Sequence, residues 1–561
     1  MDEYFINEFY LPIDYVSDVY PLEKDVVEDL EINDKKTSPY HYFTQVNYEP
    51  TEEPHSIHEL LFHKMYSKYT TNIHYLKDIQ KLIKEYEIQP DVKTDYFDRW
   101  KENISDNGLL EKHQYITWNH LKMLNSSPKF LQTMTLYNLS SPMISIMMPF
   151  LFLIFPFFII RFIMKLPITF ENYKNTLVQQ FKHHAVGKMF DLFSSDISSN
   201  KKFYILFTIG FYFLSLYQNI LSCIKFYSSI HTIQNFLYST KEHLLQTLSY
   251  MKSLLHHCEG KKTLSGYMTY LREKKKDLEE LYQQVSLVYS PSFKLSKLFD
   301  VGTYMSLFYR LTQEEEYREK IMFSFGIHSF ISHLNGIKTN LSNNVLSLCR
   351  YKNKTTLKQQ YYPSLSLDKP VKNNLIVTNT IITGPNASGK TTLLKSSLLN
   401  ILFSQQFGCG FYERKTTISP YHYLHSYINI PDTSGRDSLF QAEARRCLRI
   451  IHSIQREPKK KHFIIFDELY SGTNPNEAID IARSFLSYIR SFKVTYILTT
   501  HFIELTQMKE IKNKQMEVHV DEQTQDISYS YRVNSGISRI KGGYHVICDL
   551  GYPKEILEYI K

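Results

Sequence analysis

The chain has 561 residues, with 65 Lys+Arg against 57 Asp+Glu and a formal net charge of +8. That length can bury a sizeable core and hold three or four domains. Six scattered cysteines without a CxxC pair argue against a zinc module or a disulfide scaffold and suit a reducing, intracellular compartment. The charge is uneven: residues 1–54 carry 14 acidic residues against Lys24, Lys35 and Lys36, which leaves +19 on the remainder. That balance suits a polyanion, either nucleic acid or an anionic lipid surface, although basic residues solvating helix faces explain any single cluster equally well.

In chain order, residues 1–54 mix acids, aromatics and prolines and read as an irregular arm, without the charged-then-apolar pattern of a signal peptide. Residues 55–140 turn helical, with apolar residues three and four apart in segments such as Tyr75–Ile83. Residues 141–227 hold two hydrophobic runs. Met143–Ile160 is 18 residues without a charge, and Phe203–Ile224 is 22. Both reach bilayer-crossing length, and Pro149 and Pro156 predict kinks in the first. Two buried helices of a large helical domain are the alternative. The connecting residues 161–202 carry seven Lys/Arg, against the positive-inside tendency for a loop carried away from a cytosolic domain. Residues 228–358 read as long amphipathic helices, and Leu271–Val285 has the charge pattern of a lever or coiled-coil arm. His256-His257-Cys258 lacks a second cluster and reads as structural. From 359 to 561, short apolar runs alternate with helices and Gly-bearing loops. The fold class expected is therefore α + α/β, long helices followed by a C-terminal P-loop α/β domain.

The chemistry concentrates in this last region. Leu375–Val377 and Ile381-Ile382 read as strand and lead into Gly384-Pro385-Asn386-Ala387-Ser388-Gly389-Lys390-Thr391-Thr392, which an apolar helix follows. This is the phosphate loop GxxxxGK[ST] in its strand–loop–helix setting. Its glycines let backbone N–H groups curl around phosphates, and the helix N-terminus favours negative charge. Lys390 is expected to reach the β- and γ-phosphates of ATP, and the Thr391 hydroxyl to ligate Mg²⁺. Phe463–Phe466 would be a buried strand delivering Asp467 to the metal and Glu468, the catalytic base, to the attacking water. A further strand, Val494–Thr500, ends at His501, placed to sense the γ-phosphate.

These motifs together resemble the ATPase domain of the MutS family, of the ABC/MutS type. Asn386 in GPNASGKTT, the run Asp467-Glu468-Leu469-Tyr470-Ser471-Gly472-Thr473 and Thr500-His501-Phe502 carry the resemblance. So does the stretch from Gly408-Cys409-Gly410 to Ser434-Gly435-Arg436-Asp437-Ser438-Leu439-Phe440-Gln441-Ala442-Glu443, which resembles the family's SG-x-STF-x-x-E segment, although one residue too many separates Gly435 from Ser438. The resemblance implies that Ser434, Gly435 and Ser438 act in trans on a neighbour's ATP, in a homodimer or a heterodimer. It implies too that Tyr531 lies where an adenine-stacking side chain belongs, and that the segment from Val533 to Lys561 closes the domain as a helix-turn-helix. It covers about a third of the chain. No α/β domain of the mismatch-reading kind precedes the helices, and Phe411-Tyr412-Glu413 follows the phosphate loop and cannot be a mismatch wedge.

Two functions remain open at this stage. One is a MutS-like ATPase coupled to double-stranded DNA binding, with Arg414, Lys415 and the basic residues of 262–276 available to phosphates. The other is an ATPase with a cytosolic catalytic domain, anchored to a membrane through residues 143–224 and acting on a protein partner. A transporter is disfavoured, because two hydrophobic runs are too few and no LSGGQ segment occurs.

Overall fold

The computed structural model describes residues 9–49, 56–90, 95–165, 170–183, 199–288, 299–363, 370–428, 438–520 and 527–540, with isolated positions between and after them. It divides into two compact units. One comprises residues 1–94, 247–276 and 322–561, and the other residues 95–246 and 277–321.

In the first unit, the acidic N-terminal segment departs from the irregular arm expected of it. It folds into short helices, among them α1 (Lys24–Asp29) and the helix Pro39–Thr44. Its carboxylates have specific partners. Asp29 accepts from the Ser426 hydroxyl at 2.6 Å and the Ile428 amide at 3.1 Å. Asp25 lies 2.8 Å from Arg446 and 2.9 Å from Arg449. Arg446 is 6% exposed and Asp29 4%, and stripping one partner from such a buried pair costs about 3–5 kcal/mol. Glu31 pairs with Lys395 at 2.7 Å. The aromatics of the segment are buried too, with Phe43 stacked on Phe403 at 4.2 Å. Gly336, in the helix Glu315–Ser342, runs against the Thr44 carbonyl so closely that a Cβ there would collide with it. One turn on, Asn340 donates to the carbonyls of Tyr42, Phe43 and Gln45, satisfying acceptors that a helix end leaves free.

The second unit is helical. α2 (Pro128–Phe158) opens with Ser127 as its cap, its hydroxyl accepting from the Phe130 amide. Despite Pro149 and Pro156, α2 is assigned as one helix and then loosens into a π-helical turn at Ile159–Ile163. α3 (Ser199–Cys258) spans 60 residues and continues into the first unit. Within the second unit, α2 and α3 run antiparallel, as the contacts Ser145–Asn219 and Leu139–Cys223 require. The helix Val301–Gln313 meets the start of α2, where Gly302 leaves no room for a Cβ beside the Pro128 carbonyl. Its amide donates to Gln132 at 2.9 Å.

Back in the first unit, the chain enters its β-rich part through β1 (Thr356–Gln360) and β2 (Asn373–Ile376), which pair antiparallel in a small sheet. The main sheet follows: β3 (Thr380–Thr383), β4 (Tyr423–Tyr427), β5 (His462–Asp467), β6 (Val494–Thr499), β7 (Lys512–Val520) and β8 (Ile527–Ser535). Its order is β4-β5-β6-β3-β7-β8, parallel except for the β7–β8 hairpin. Helices α4 (Lys390–Gln406), α5 (Leu439–Arg456) and α6 (Pro475–Ile489) connect these strands. Burial on both faces explains why Ile381-Ile382 of β3 and Phe463–Phe466 of β5 are apolar without alternation. The core between β5, β6, α5 and α6 gathers Ile464, Phe466, Tyr496, Ile450, Ile454 and Phe485. α5 and α6 announce themselves by their caps, a Ser438/Gln441 capping box and Asn474 before Pro475.

β4 is the edge of this sheet, and α1 covers it, which removes an exposed pairing edge. Below it runs a buried polar chain. Glu23 contacts His425 Nδ1 at 3.0 Å, His425 Nε2 contacts His462 Nδ1 at 3.0 Å, and His462 Nε2 reaches the Glu457 carbonyl at 3.2 Å. Burial first, and then the His425 charge, lower the His462 pKa to about 4. The unfolded chain therefore holds more protons on this residue between about pH 4 and 6.5, so stability falls as pH drops through that window. Apparent melting temperatures should consequently fall less between pH 7 and 5 in His462→Gln than in the parent protein. Equal falls would remove His462 as a source of acid sensitivity.

Candidate functional site

The main sheet presents the carboxyl ends of β3, β5 and β6 side by side, and the chemistry-bearing residues emerge there. β3 runs straight into the loop Gly384–Gly389. Gly389 caps α4 with φ +91°, a left-handed conformation that suits glycine. Ala387 also has a positive φ of 60°, so the loop is held in a backbone shape that side chains disfavour, as expected of a loop whose amides must converge. The Ser388 hydroxyl pins the turn by donating to the Pro385 carbonyl at 2.7 Å. Asn386 and Ala387 are exposed at the rim, while Thr391 and Thr392 begin α4 half-buried.

Lys390 is 6% exposed. Its ammonium folds back to donate to the carbonyls of Gly384 at 2.9 Å and Pro385 at 3.3 Å. Burial lowers its pKa, with the Glu468 and Asp467 charges opposing that shift. Glu468 Oε1 is 3.8 Å from the ammonium and 2.9 Å from His501 Nε2. The His501 hydrogen bond, more than any other influence, holds the Glu468 carboxyl below its ordinary value. The same Nε2 lies 3.0 Å from Lys390 Nζ. One ring nitrogen can accept from the lysine or donate to the carboxylate, not both, so Lys390 and Glu468 compete for His501 Nε2. Glu468 and Tyr470 both have positive φ, 53° and 60°. The strand therefore ends in a strained turn that throws the carboxylate forward.

Asp467 closes the other half. Thr391 donates its hydroxyl to Asp467 Oδ2 at 2.6 Å, and Thr499 donates to Oδ1. A hydroxyl and a carboxylate side by side at a helix N-terminus are hard oxygen donors that fit a small divalent cation such as Mg²⁺. Among the described residues no group of three or more His, Cys, Asp or Glu could hold a metal, so a cation here would take its remaining ligands from water and substrate.

These groups open on a cavity of about 780 Å³ lined by the loop, Asp467, Glu468, Gln360, Tyr361, Pro370, Asn373 and Tyr531. Tyr531 crosses its mouth: a Cβ on Gly389 would come within 3.2 Å of the Tyr531 ring. Its backbone has φ +56°. Asn373 fixes that conformation from β2, donating to the Tyr531 carbonyl at 2.9 Å and accepting from the Val533 amide at 2.8 Å.

The structure thus gathers Gly384 through Thr392, Asp467, Glu468 and His501 in one place, with Tyr531 beside them. Ser434 and Gly435 lie outside the described residues, as does most of the segment after residue 540. Ser438 caps α5, accepting from the Gln441 amide at 3.3 Å. Phe411 and Tyr412 are buried, and Glu413 pairs with Lys372. Sequence reasoning missed Asn373 and Thr499, which carry no motif of their own. It also missed the bracing role of Glu443. This carboxylate is 2% exposed and accepts from the Ser471 amide and hydroxyl and the Gly472 amide at 3.1–3.2 Å. It ties α5 to the turn after Glu468. An acidic residue on the buried face of an otherwise amphipathic helix was the available signal.

Comparison with known proteins is consistent with this geometry. The family model described as MutS domain V matches residues 380–561. The DNA mismatch repair protein MutS of Persephonella marina is 29% identical over 212 residues, 36% of this chain and 24% of that protein. MutS protein homolog 4 of Mus musculus is 32% identical over 203 residues, 33% of this chain and 20% of its own length. Endonuclease MutS2 of Alkaliphilus metalliredigens is 25% identical over 209 residues, 36% of this chain and 26% of that protein. The matched region spans about a quarter or less of each relative. Residues 380–561 thus match MutS domain V, and over that region the chain is similar to proteins of the MutS family.

Proposed function

We propose that this protein is a MutS-like ATPase that hydrolyses ATP to ADP and phosphate and couples the nucleotide cycle to binding of double-stranded DNA. The observation that carries the enzymatic part is the convergence of Lys390, Thr391, Asp467 and Glu468 on one cavity at the carboxyl edge of the sheet, with His501 in contact with Lys390 and Glu468. The DNA part is supported by the name of the Persephonella relative and by the basic balance of residues 55–561. The ABC/MutS-type arrangement of the domain belongs to the same reading.

On this reading, the amides of Gly384–Gly389 and the N-terminus of α4 receive the phosphates. Lys390 exchanges its two carbonyl partners for phosphate oxygens, and its buried charge is worth more there than it would be in water. Thr391 and Asp467 hold Mg²⁺, which supplies charge neutralisation at the β- and γ-phosphates. Glu468 orients and deprotonates the attacking water. His501, already in contact with both Lys390 and Glu468, registers whether a γ-phosphate is present. The Tyr531 ring, held by Asn373, offers a face to the base. Ser434, Gly435 and Ser438 complete the neighbouring subunit's site, so the active species is a dimer, a homodimer in the simplest case. The capping box at Ser438 and the Glu443 brace give that segment a rigid base close to Glu468.

Lys390→Ala should lose ATP binding by at least tenfold in a fluorescent-nucleotide titration; unchanged affinity would reject the phosphate-loop assignment. Glu468→Gln should bind ATP normally yet turn over at least a hundredfold more slowly, and turnover at the parental rate would reject its role with water. Mixed dimers of Lys390→Ala and Gly435→Ala chains should recover activity that neither has alone, and no recovery would argue against action in trans. Duplex DNA titrated by fluorescence anisotropy should bind with an affinity that falls steeply with salt and changes on adding ATP. Absence of binding at low salt, with hydrolysis intact, would leave the ATPase and remove the DNA.

A further inference from the structure

We infer that α2 and α3 form a hydrophobic hairpin that inserts into a lipid bilayer, so that the partner of its exposed apolar surface is acyl chain and not protein. This goes beyond the nucleotide reading and does not depend on it. Length is the first observation. Met143–Ile160 and Phe203–Ile224 contain 18 and 22 uncharged residues. At about 1.5 Å per residue these runs extend roughly 27 and 33 Å, against a hydrocarbon core of about 30 Å.

The second is exposure. The most apolar window of the helix Lys202–Cys258 is only 6% buried, so that stretch of α3, unlike the part from Ile230 onward, is not packed in the core of the described residues. Phe203 is 72% exposed, Phe211 56%, Phe155 65% and Ile163 75%. The pattern around the helix matters more than the sum. At about 100° per residue, exposed Phe203, Tyr204, Leu206, Phe207, Phe213 and Leu214 spread over about half of the α3 circumference. A helix docked on a protein partner needs a stripe of about 100°; a helix in lipid meets apolar solvent on every side that its neighbour leaves open.

The other half of the α3 circumference includes the side that meets α2 through Asn219 and Cys223, while the polar Ser215, Gln218 and Ser222 are exposed. Asn219 donates to the Ser145 hydroxyl at 2.7 Å, and the Cys223 thiol points at the Leu139 carbonyl at 3.7 Å. Thr208 donates to the Tyr204 carbonyl of its own helix at 2.8 Å. Satisfying polar side chains inside the hairpin is what a solvent without hydrogen bonds demands. Water imposes no such requirement.

Charge marks both ends. The antiparallel pairing sets the Arg161 and Lys165 end of α2 towards the Lys202 end of α3, while Lys225 closes the apolar run at the opposite end. Exposed Tyr204 at one end and Tyr137 and Tyr227 at the other occupy interfacial levels, where amphipathic rings are favoured. Cations at such levels attract anionic headgroups. The seven Lys/Arg of residues 161–202 make full transfer of that loop across the bilayer costly, a cost reduced where the loop stays among anionic headgroups.

The test uses the full chain, reconstituted from mild detergent with phosphatidylcholine vesicles containing phosphatidylserine. The protein should float with the vesicles and remain with them after high-salt and alkaline-carbonate washes. A Phe207→Asp, Leu214→Asp double variant, altered only at exposed positions, should float at least tenfold less while keeping the parental helicity by circular dichroism. Release of the parent protein by salt alone would overturn insertion, as would a detergent-free, monodisperse oligomer that does not float. Lys390→Ala should float like the parent, so a failed ATPase assignment and a failed membrane assignment give different results.

Discussion

Asp467 is held from two sides by hydroxyls, Thr391 from the start of α4 and Thr499 from the end of β6. That arrangement exists only because β5 sits between β4 and β6 in a parallel sheet and because α4 begins against the carboxyl end of β5. A parallel sheet buried on both faces keeps its side chains apolar through its middle and can expose polar ones only where its strands end. Everything with chemical potential in this domain is therefore forced to one edge. The loop Gly384–Gly389, the strained turn at Glu468 and the approach of His501 all follow from where β3, β5 and β6 stop.

The acidic N-terminal segment serves the same sheet from the outside. Asp25 and Asp29 meet Arg446 on α5 and the backbone beyond β4, so α1 joins the edge strand to the helix that Glu443 braces against the turn after Glu468. Deeply buried charges of this kind hold only while every partner is present. Net charge counted along the sequence gives an incomplete picture of this segment: Asp25, Asp29 and Glu31 meet Arg446, Arg449 and Lys395, cations some 360 to 420 positions away. In the helical unit the two long apolar runs bring Asn219 against Ser145 and leave Phe155, Phe203 and Phe211 exposed, the reverse of the order around the main sheet.

Much of the candidate site was legible in the residues themselves, because a phosphate loop, a carboxylate pair after an apolar strand and a histidine after the next strand are short-range patterns with a mechanical meaning. The length and lack of charge of 143–160 and 203–224 were equally plain. Asn373, Thr499 and the partners of Glu443 were not legible, since each acts only through a group brought near by strand order or helix packing. The N-terminal segment was misjudged for the same reason: acids and prolines read as irregular until the surface that neutralises them is present. Local sequence determined which groups could bind phosphate, hold a cation or avoid water, because those properties belong to side chains and their near neighbours. Tertiary structure alone decided which of them meet, because a hydrogen bond between residues 29 and 426, or 373 and 531, is a consequence of the sheet's topology and has no trace at shorter range.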